Sequence, residues 1–261
     1  MKKLTLLIST IFVVGCGGGG SVNVAKSSGG SWYYQLQGKL LDVGAKVYDI
    51  DLYETSPATI KELKSKGKYV VCYFSAGSWE DWRADASEFP KSALGNKLNG
   101  WAGERWLDIT NNKVKDIMRK RVALAKSKGC DAIEPDNVNG YDNDSGFNLS
   151  YSDQINYNKF LASWAKSNAL AIGLKNDLEQ IDDLVDSFDF AINEECFEFG
   201  ECSYLKPFTD AKKPVYNIEY KKSYTKASEF SKLCKRAKDL NIYTIVENKA
   251  LNGSQITSCD Y

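Results

Sequence analysis

The chain has 261 residues, with 34 basic and 34 acidic side chains and no histidine. Balanced charge without a basic cluster gives no nucleic-acid footprint. The missing histidine excludes Ser-His-Asp triads, Cys-His dyads and histidine-ligated metals, so acid–base chemistry must rest on Asp, Glu, Lys, Tyr or Cys.

The first residues read as an export signal. Lys2 and Lys3 precede an apolar run from Leu4 to Val14, too short for a transmembrane helix, which needs about 20 residues. The run ends in "VVGC", residues 13–16, the pattern of a bacterial lipobox. Residues 1–15 are expected to be a lipoprotein signal, Cys16 the lipidated residue, and the Gly/Ser-rich segment 16–31 a flexible tether. The acyl chains would hold the protein on a membrane without spanning it, at the periplasmic or cell-surface side. Gly17 after Cys16 favours the outer membrane. The remainder, 32–261, is long enough for one domain with a sizeable core, expected to act as a monomer.

Short apolar runs then alternate with helix-period segments. Strands are predicted at 45–53, 68–77, 105–110, 130–138, 170–177, 189–196, 214–220 and 243–249, rich in Val, Ile and Tyr. Helices are predicted from Ser56 to Gly67, over 112–129, 153–168, 178–188, around 204–211 and over 226–241. Ser56 suits an N-cap, Pro57 the first helical position and Gly67 a stop. Alternating strand and helix implies a parallel sheet, and eight units in this length fit an α/β fold, the (β/α)8 TIM barrel. An open doubly wound sheet fits less well, because no Gly-rich phosphate loop follows the first strand.

Six cysteines remain beyond the signal: Cys72, Cys130, Cys196, Cys202, Cys234 and Cys259. An even number in an exported protein points to disulfides. Cys196 and Cys202 would close a short loop. Cys72–Cys130 and Cys234–Cys259 are the pairings expected for the rest, although sequence leaves others open. No Cys spacing suggests zinc, and "DNVNGYDND" does not match an EF-hand loop; no metal or cofactor is expected.

A barrel gathers functional side chains at the C-terminal ends of its strands. Those ends carry Asp49 and Asp51; Tyr73 and Ser75; Asp108; Glu134, Asp136 and Asn137; Lys175 and Asn176; Glu194; Glu219 and Tyr220; and Glu247. The long loop 78–104 adds Trp79 and Trp82, whose indole faces suit sugar rings. Carboxylates and aromatics without histidine point to glycoside hydrolysis, for which two carboxyl groups across the scissile bond suffice. Asp136 and Glu194 stand out among them, each following apolar strand residues where a pocket should form, and the others are candidate substrate-binding residues. A carboxylate beside Glu194 would raise its pKa.

The segments "YDIDLYET", "VVCYFSAGSWEDWRADASEFP", "ALGNKLNGWAGERWLDI", "GCDAIEPDNVNGY", "GLKNDLEQI" and "NEECFEFGEC" resemble glycoside hydrolase family 114, the endo-α-1,4-polygalactosaminidases. The resemblance runs from about Trp32 to Cys259. It implies a barrel whose catalytic carboxylates lie on the fourth and sixth strands, matching Asp136 and Glu194; Glu195 stands where relatives often have Gln. By analogy with other α-glycosidase barrels, Asp136 is the expected nucleophile and Glu194 the acid/base of a retaining mechanism. The implied substrate is a galactosamine-rich polysaccharide, cationic where deacetylated, such as galactosaminogalactan of a biofilm. A different class of reading is a non-catalytic carbohydrate-binding surface lipoprotein on the same barrel.

Overall fold

The computed structural model describes residues 31–259. The expected signal, the lipidated Cys16 and the tether as far as residue 30 lie outside the described residues. Strands β1 (Trp32–Gln35), β2 (Val47–Asp51) and β3 (Tyr69–Ser75) open the domain. An excursion follows: β4 (Ser78–Glu80), β5 (Leu94–Lys97) and β6 (Glu104–Leu107) form a small antiparallel sheet in the order β4-β6-β5. The main sheet resumes with β7 (Ala132–Asp136), β8 (Ala171–Lys175), β9 (Phe190–Glu194), β10 (Val215–Glu219) and β11 (Tyr243–Val246). A short antiparallel strand, β12 (Thr257–Ser258), pairs with β11. The eight strands from β1 to β11, leaving out the excursion, are parallel and adjacent in sequence order. At the seam, the backbone N–H groups of Leu36 and Gln37 both donate to the Leu251 carbonyl, at 2.9 and 3.0 Å. The architecture is a (β/α)8 barrel in a single domain.

Helices α1 (Pro57–Ser65), α2 (Asn112–Lys128), α3 (Tyr151–Ser167), α4 (Ile181–Leu184), α5 (Cys196–Phe199), α6 (Lys206–Asp210) and α7 (Ala227–Leu240) connect the strands. Local chemistry sets their ends. The Ser56 hydroxyl caps α1 by accepting from Thr59 N, and Pro57 begins the helix. Gly129 ends α2 in the left-handed region, at φ 93°.

One predicted barrel strand is corrected. The segment 105–110 contributes to β6, which pairs antiparallel within its own loop, Ser78 opposite Trp106. The place beside β3 belongs to β7, with Val71 opposite Ala132. The barrel is completed instead by β1, whose four residues are all buried. Sequence reading missed β1 because it is short, abuts the Gly/Ser segment, and is followed by no helix before β2.

Alternation along each strand separates two cores. One face packs on the helices: Tyr48 and Ile50, Cys72 and Phe74, Ile133. The other fills the barrel interior with Trp32, Val47, Val71, Ala132, Ala171, Phe190 and Tyr216. Gly173 leaves room there, since a Cβ would meet the Phe190 ring at 2.4 Å. Two residues further along, the inward positions turn polar: Val47 leads to Asp49 and Asp51, Ala132 to Glu134 and Asp136, Gly173 to Lys175, Ile192 to Glu194. The apolar floor therefore carries a layer of acidic and basic side chains at the C-terminal mouth.

Disulfides Cys72–Cys130, Cys196–Cys202 and Cys234–Cys259 tie β3 to the end of α2, close the α5 turn, and hold α7 to the segment after β12. Such bonds belong to an oxidising, extracytoplasmic setting. Among the described residues no helix is long and apolar enough to cross a membrane.

The excursion is locked onto the mouth by two buried arginines. Arg121 on α2 is 1 % exposed. It donates to both Asp85 oxygens, at 2.9 and 2.8 Å, and to the Ser75 carbonyl at 2.6 Å. Arg83 donates to both Asp51 oxygens, at 3.0 and 2.6 Å, and reaches Glu80 at 2.7 Å. Removing one partner of a buried pair strands the other's charge. Arg121→Met should lower the unfolding free energy by about 3–5 kcal/mol, read as a shifted midpoint in chemical denaturation.

Candidate active site

Lys175 closes β8 and is 2 % exposed. Its ammonium lies 2.9 Å from Glu134 Oε1, 3.4 Å from Asp136 Oδ1 and 3.6 Å from Glu194 Oε2. It also donates to the Tyr34 hydroxyl, at 3.4 Å. Burial opposes its charge, but Asp136, Glu134 and Glu194 outweigh burial and hold it well above the usual lysine range. Asp49, one layer deeper, is 1 % exposed. Burial, with Glu134 beside it, pushes its carboxyl well above the usual range. Burial thus favours the neutral form of Asp49 beneath the lysine cluster.

The candidate pair is held by donors as well as by Lys175. Asp136 Oδ2 accepts from the Tyr73 hydroxyl at 3.1 Å, and Oδ1 from the Asn137 N–H at 2.7 Å. Glu194 Oε1 accepts from the Tyr220 hydroxyl at 2.5 Å, and Oε2 from the Asn176 amide at 3.2 Å. The raised pKa expected at Glu194 is not found. Burial raises it, but Lys175, Tyr220 and Asn176 outweigh burial and leave it below the usual value. The sequence-level argument counted the carboxylate neighbour and left out the lysine placed between the two.

The backbone at these strand ends is strained. Asn137, Asn176, Asp177 and Glu195 have φ of 60°, 51°, 49° and 62°. Asn and Asp tolerate the left-handed region; Glu does so rarely. Gly77 is required beside Asn137, because a Cβ there would lie 1.7 Å from the Asn137 carbonyl oxygen. These turns aim the side chains after β7, β8 and β9 across the mouth.

A cavity of about 480 Å³ opens above the pair. Of the residues expected to bind substrate, Asp51, Tyr73, Trp82, Asn137, Lys175 and Asn176 line it, together with Asp136 and Glu194. Ser75, Glu134 and Tyr220 support it from beneath: Ser75 accepts from Asn137 Nδ2 at 2.9 Å, Glu134 holds Lys175, and Tyr220 holds Glu194. The other five expected residues neither line the cavity nor hold a residue that does. Asp49 is a layer too deep. Trp79 donates its indole N–H to the Ala86 carbonyl at 3.0 Å and packs its loop onto the core. Asp108 lies outside the barrel and accepts from Thr110 N and Oγ1. Glu219 has the opposite strand parity from Ile218, and accepts from Phe197 N at 2.8 Å. Glu247 accepts from Gly253 N at 3.3 Å, and burial pushes it up to about 8.

The cavity also has walls the sequence reading missed: Tyr34 from β1, and Glu80, Arg83 and Glu104 from the excursion. Glu104 Oε2 accepts from Ser78 Oγ at 2.5 Å, and Ser78 Oγ lies 2.6 Å from Ser75 Oγ. Burial pushes Glu104 up to about 7, against the Ser78 hydrogen bond. The adjacent "SWEDWR" was legible as a polar, aromatic loop, but nothing in it showed that the loop folds back over the mouth.

Two carboxylates meeting across the mouth of a parallel barrel are apparatus for splitting an acetal, and fold and site together define a glycoside hydrolase. The profile of Glycoside-hydrolase family GH114 matches residues 19–261, and the chain belongs to that family. It is similar to Ega3 of Aspergillus fumigatus, whose crystal structure is a complex with galactosamine: 38 % identity, TM-score 0.84, covering 88 % of this chain and 95 % of that one. The glycoside hydrolase domain of PelA from Pseudomonas aeruginosa shares the fold at 15 % identity and TM-score 0.66, covering 85 % of this chain and 95 % of that one. No curated protein sequence matches significantly.

Tyr220→Phe removes a donor that stabilises the Glu194 anion, so Glu194 should titrate at higher pH. The limb of the kcat/KM profile governed by Glu194 should move upward in pH, while the Tyr73→Phe profile keeps that limb in place.

Proposed function

We propose that the protein is an endo-acting hydrolase of α-1,4-linked, galactosamine-rich polysaccharide, working by a retaining mechanism. One observation carries the stereochemistry. Asp136 Oδ1 and Glu194 Oε2 approach the same ammonium at 3.4 and 3.6 Å. They can be no more than about 7 Å apart, and that only if collinear with the nitrogen; a retaining pair sits about 5–5.5 Å apart and an inverting pair about 6.5–9.5 Å apart. The bound is on the two oxygens that face the lysine, and their convergence on one ammonium supports the shorter, retaining separation.

In this reading, Asp136 attacks the anomeric carbon while Glu194 protonates the departing oxygen. Glu194 then takes a proton from the water that attacks the glycosyl–Asp136 ester, and Asp136 leaves as the carboxylate. Lys175 lets two carboxylates share one mouth without mutual repulsion. Because Glu194 is held below its usual pKa, its proton is lost below the ordinary carboxylate range, so kcat/KM should already fall as pH rises through that range and keep falling toward neutral.

The galactosamine in the Ega3 complex and the carboxylates lining this cavity support an amino-sugar polymer, drawn in by its charge. The "VVGC" lipobox and the Gly/Ser segment support export and membrane anchoring through Cys16, with 1–15 as signal, 16–31 as tether and 32–261 as the hydrolase.

Asp136→Asn and Glu194→Gln should each lower turnover of a partly deacetylated galactosamine polymer by about 10²–10⁴-fold, scored by product sizing. NMR of the first product should show the α anomer; the β anomer would overturn the retaining assignment. Cleavage of the cationic polymer should weaken as salt rises, since screening shortens the reach of the acidic mouth.

A further inference from the structure

Glu104 on β6 is a cavity-wall carboxylate, 6 % exposed, whose hydrogen-bond partner is a serine hydroxyl rather than a cation. The neighbouring Arg83 serves Asp51 and Glu80 instead. The hydroxyl, Ser78 Oγ, lies 2.5 Å from Glu104 Oε2 and 2.6 Å from Ser75 Oγ. Ser75 Oγ in turn lies 2.9 Å from Asn137 Nδ2. Side chains from β6, β4, β3 and the turn after β7 thus join Glu104 to the residue beside Asp136.

Donor counting fixes the direction of this chain. A hydroxyl oxygen has two lone pairs and one proton. Ser75 Oγ accepts from Ser78 N at 3.0 Å and from Asn137 Nδ2, so both lone pairs are used and its proton goes to Ser78. Ser78 Oγ accepts it, and its own proton goes to Glu104 Oε2. Every donor therefore points toward Glu104, and the chain needs an oxygen acceptor at that end.

Asn137 is where the chain meets the chemistry. Its backbone N–H donates to Asp136 Oδ1 at 2.7 Å, and Nδ2 donates to Asp136 Oδ2 at 3.4 Å. The amide is held with its nitrogen toward both Ser75 and Asp136, an orientation that follows from the network around it. Without an acceptor at position 104, Ser78 can turn its proton back to Ser75. Ser75 can then donate to the Asn137 amide oxygen, and the amide turns over. Its Oδ1 would face Asp136 where a donor had been.

We propose that Glu104 is a positioning residue for Asp136: through Ser78 and Ser75 it holds the Asn137 amide as a donor to the candidate nucleophile. The inference rests on the hydrolase reading above and adds to it a role for the excursion sheet, which brings Glu104 and Ser78 to the mouth. A donor at Asp136 stabilises the negative charge that returns to it when the glycosyl ester is hydrolysed. Glu104 acts at one remove from the reacting atoms, so its loss should appear in kcat rather than in KM.

The test compares kcat and KM of the full chain on a partly deacetylated galactosamine polymer. Glu104→Leu should lower kcat about tenfold and leave KM within about twofold. Ser78→Ala breaks the chain one step earlier and should match it, which keeps the test if leucine unsettles the sheet. Glu104→Gln, whose amide oxygen can still accept from Ser78, should lose no more than about threefold in kcat. Asn137→Gly removes the amide but keeps the backbone N–H and the left-handed turn. On that background, Glu104→Leu should cost no more than about twofold further. Full additivity of Glu104→Leu and Asn137→Gly, a raised KM at unchanged kcat, or an unchanged kcat in both Glu104→Leu and Ser78→Ala would overturn the positioning role while the unmodified enzyme still cleaves the polymer. If the unmodified enzyme cleaves no galactosamine polymer, the hydrolase reading fails and takes this role with it.

Discussion

A single buried ammonium organises this molecule's mouth. Lys175 lies within ion-pair distance of three carboxylates and is itself almost wholly buried. At roughly 4 Å and an effective dielectric of about 20, each such contact is worth about 4 kcal/mol before desolvation. That is enough to hold the lysine charged where burial alone would neutralise it, and to keep Glu194 ionised beside a second acid. The donors around the cluster, from Tyr73, Tyr220, Asn137 and Asn176, do the same work at shorter range. Below them, burial and Glu134 favour the neutral form of Asp49, which limits further negative charge in the interior.

Precision at the mouth is a backbone matter as much as an electrostatic one. Three successive barrel strands end in left-handed residues, and Gly77 yields its Cβ space to the Asn137 carbonyl. Conformations of this kind persist only where the surroundings over-determine them. Here the surroundings are the excursion sheet, clamped by Arg83 and Arg121, and the α5 turn, clamped by Cys196–Cys202 and by Glu219 accepting from Phe197 N. Rigid rims hold the donors to Asp136 and Glu194 in one register.

Periodicity and turn chemistry made most of this fold legible. The strand–helix alternation located seven of the eight barrel strands, because a strand buried on both faces reads as a continuous apolar run. The eighth, Trp32–Gln35, lacked the two cues that reading relies on: length and a following helix. The segment 105–110 was recognisable as a strand, but no local pattern distinguishes a barrel partner from a partner within the same loop. At the site, the residues at inward positions of β7, β8 and β9 were legible because strand parity is local. Glu219 was misplaced by one residue of that same parity, and Asp49 by one layer of depth. Glu80, Arg83 and Glu104 were out of reach, since their place over the cavity follows from long-range ion pairs rather than from spacing. The sign of the Glu194 shift was missed for a related reason: sequence shows which charges exist, and only the assembled cluster shows which is nearest.

The polarity of the parallel strands settles which pole of the barrel faces which way. The cavity sits at the carboxyl ends, whereas the chain enters β1 at Trp32, from the opposite pole. Ser31, the first described residue, therefore lies at the base, beneath the apolar floor. The opening thus faces away from Ser31, as the brim of a cup faces away from its foot, and the rim is built from strand ends and their loops.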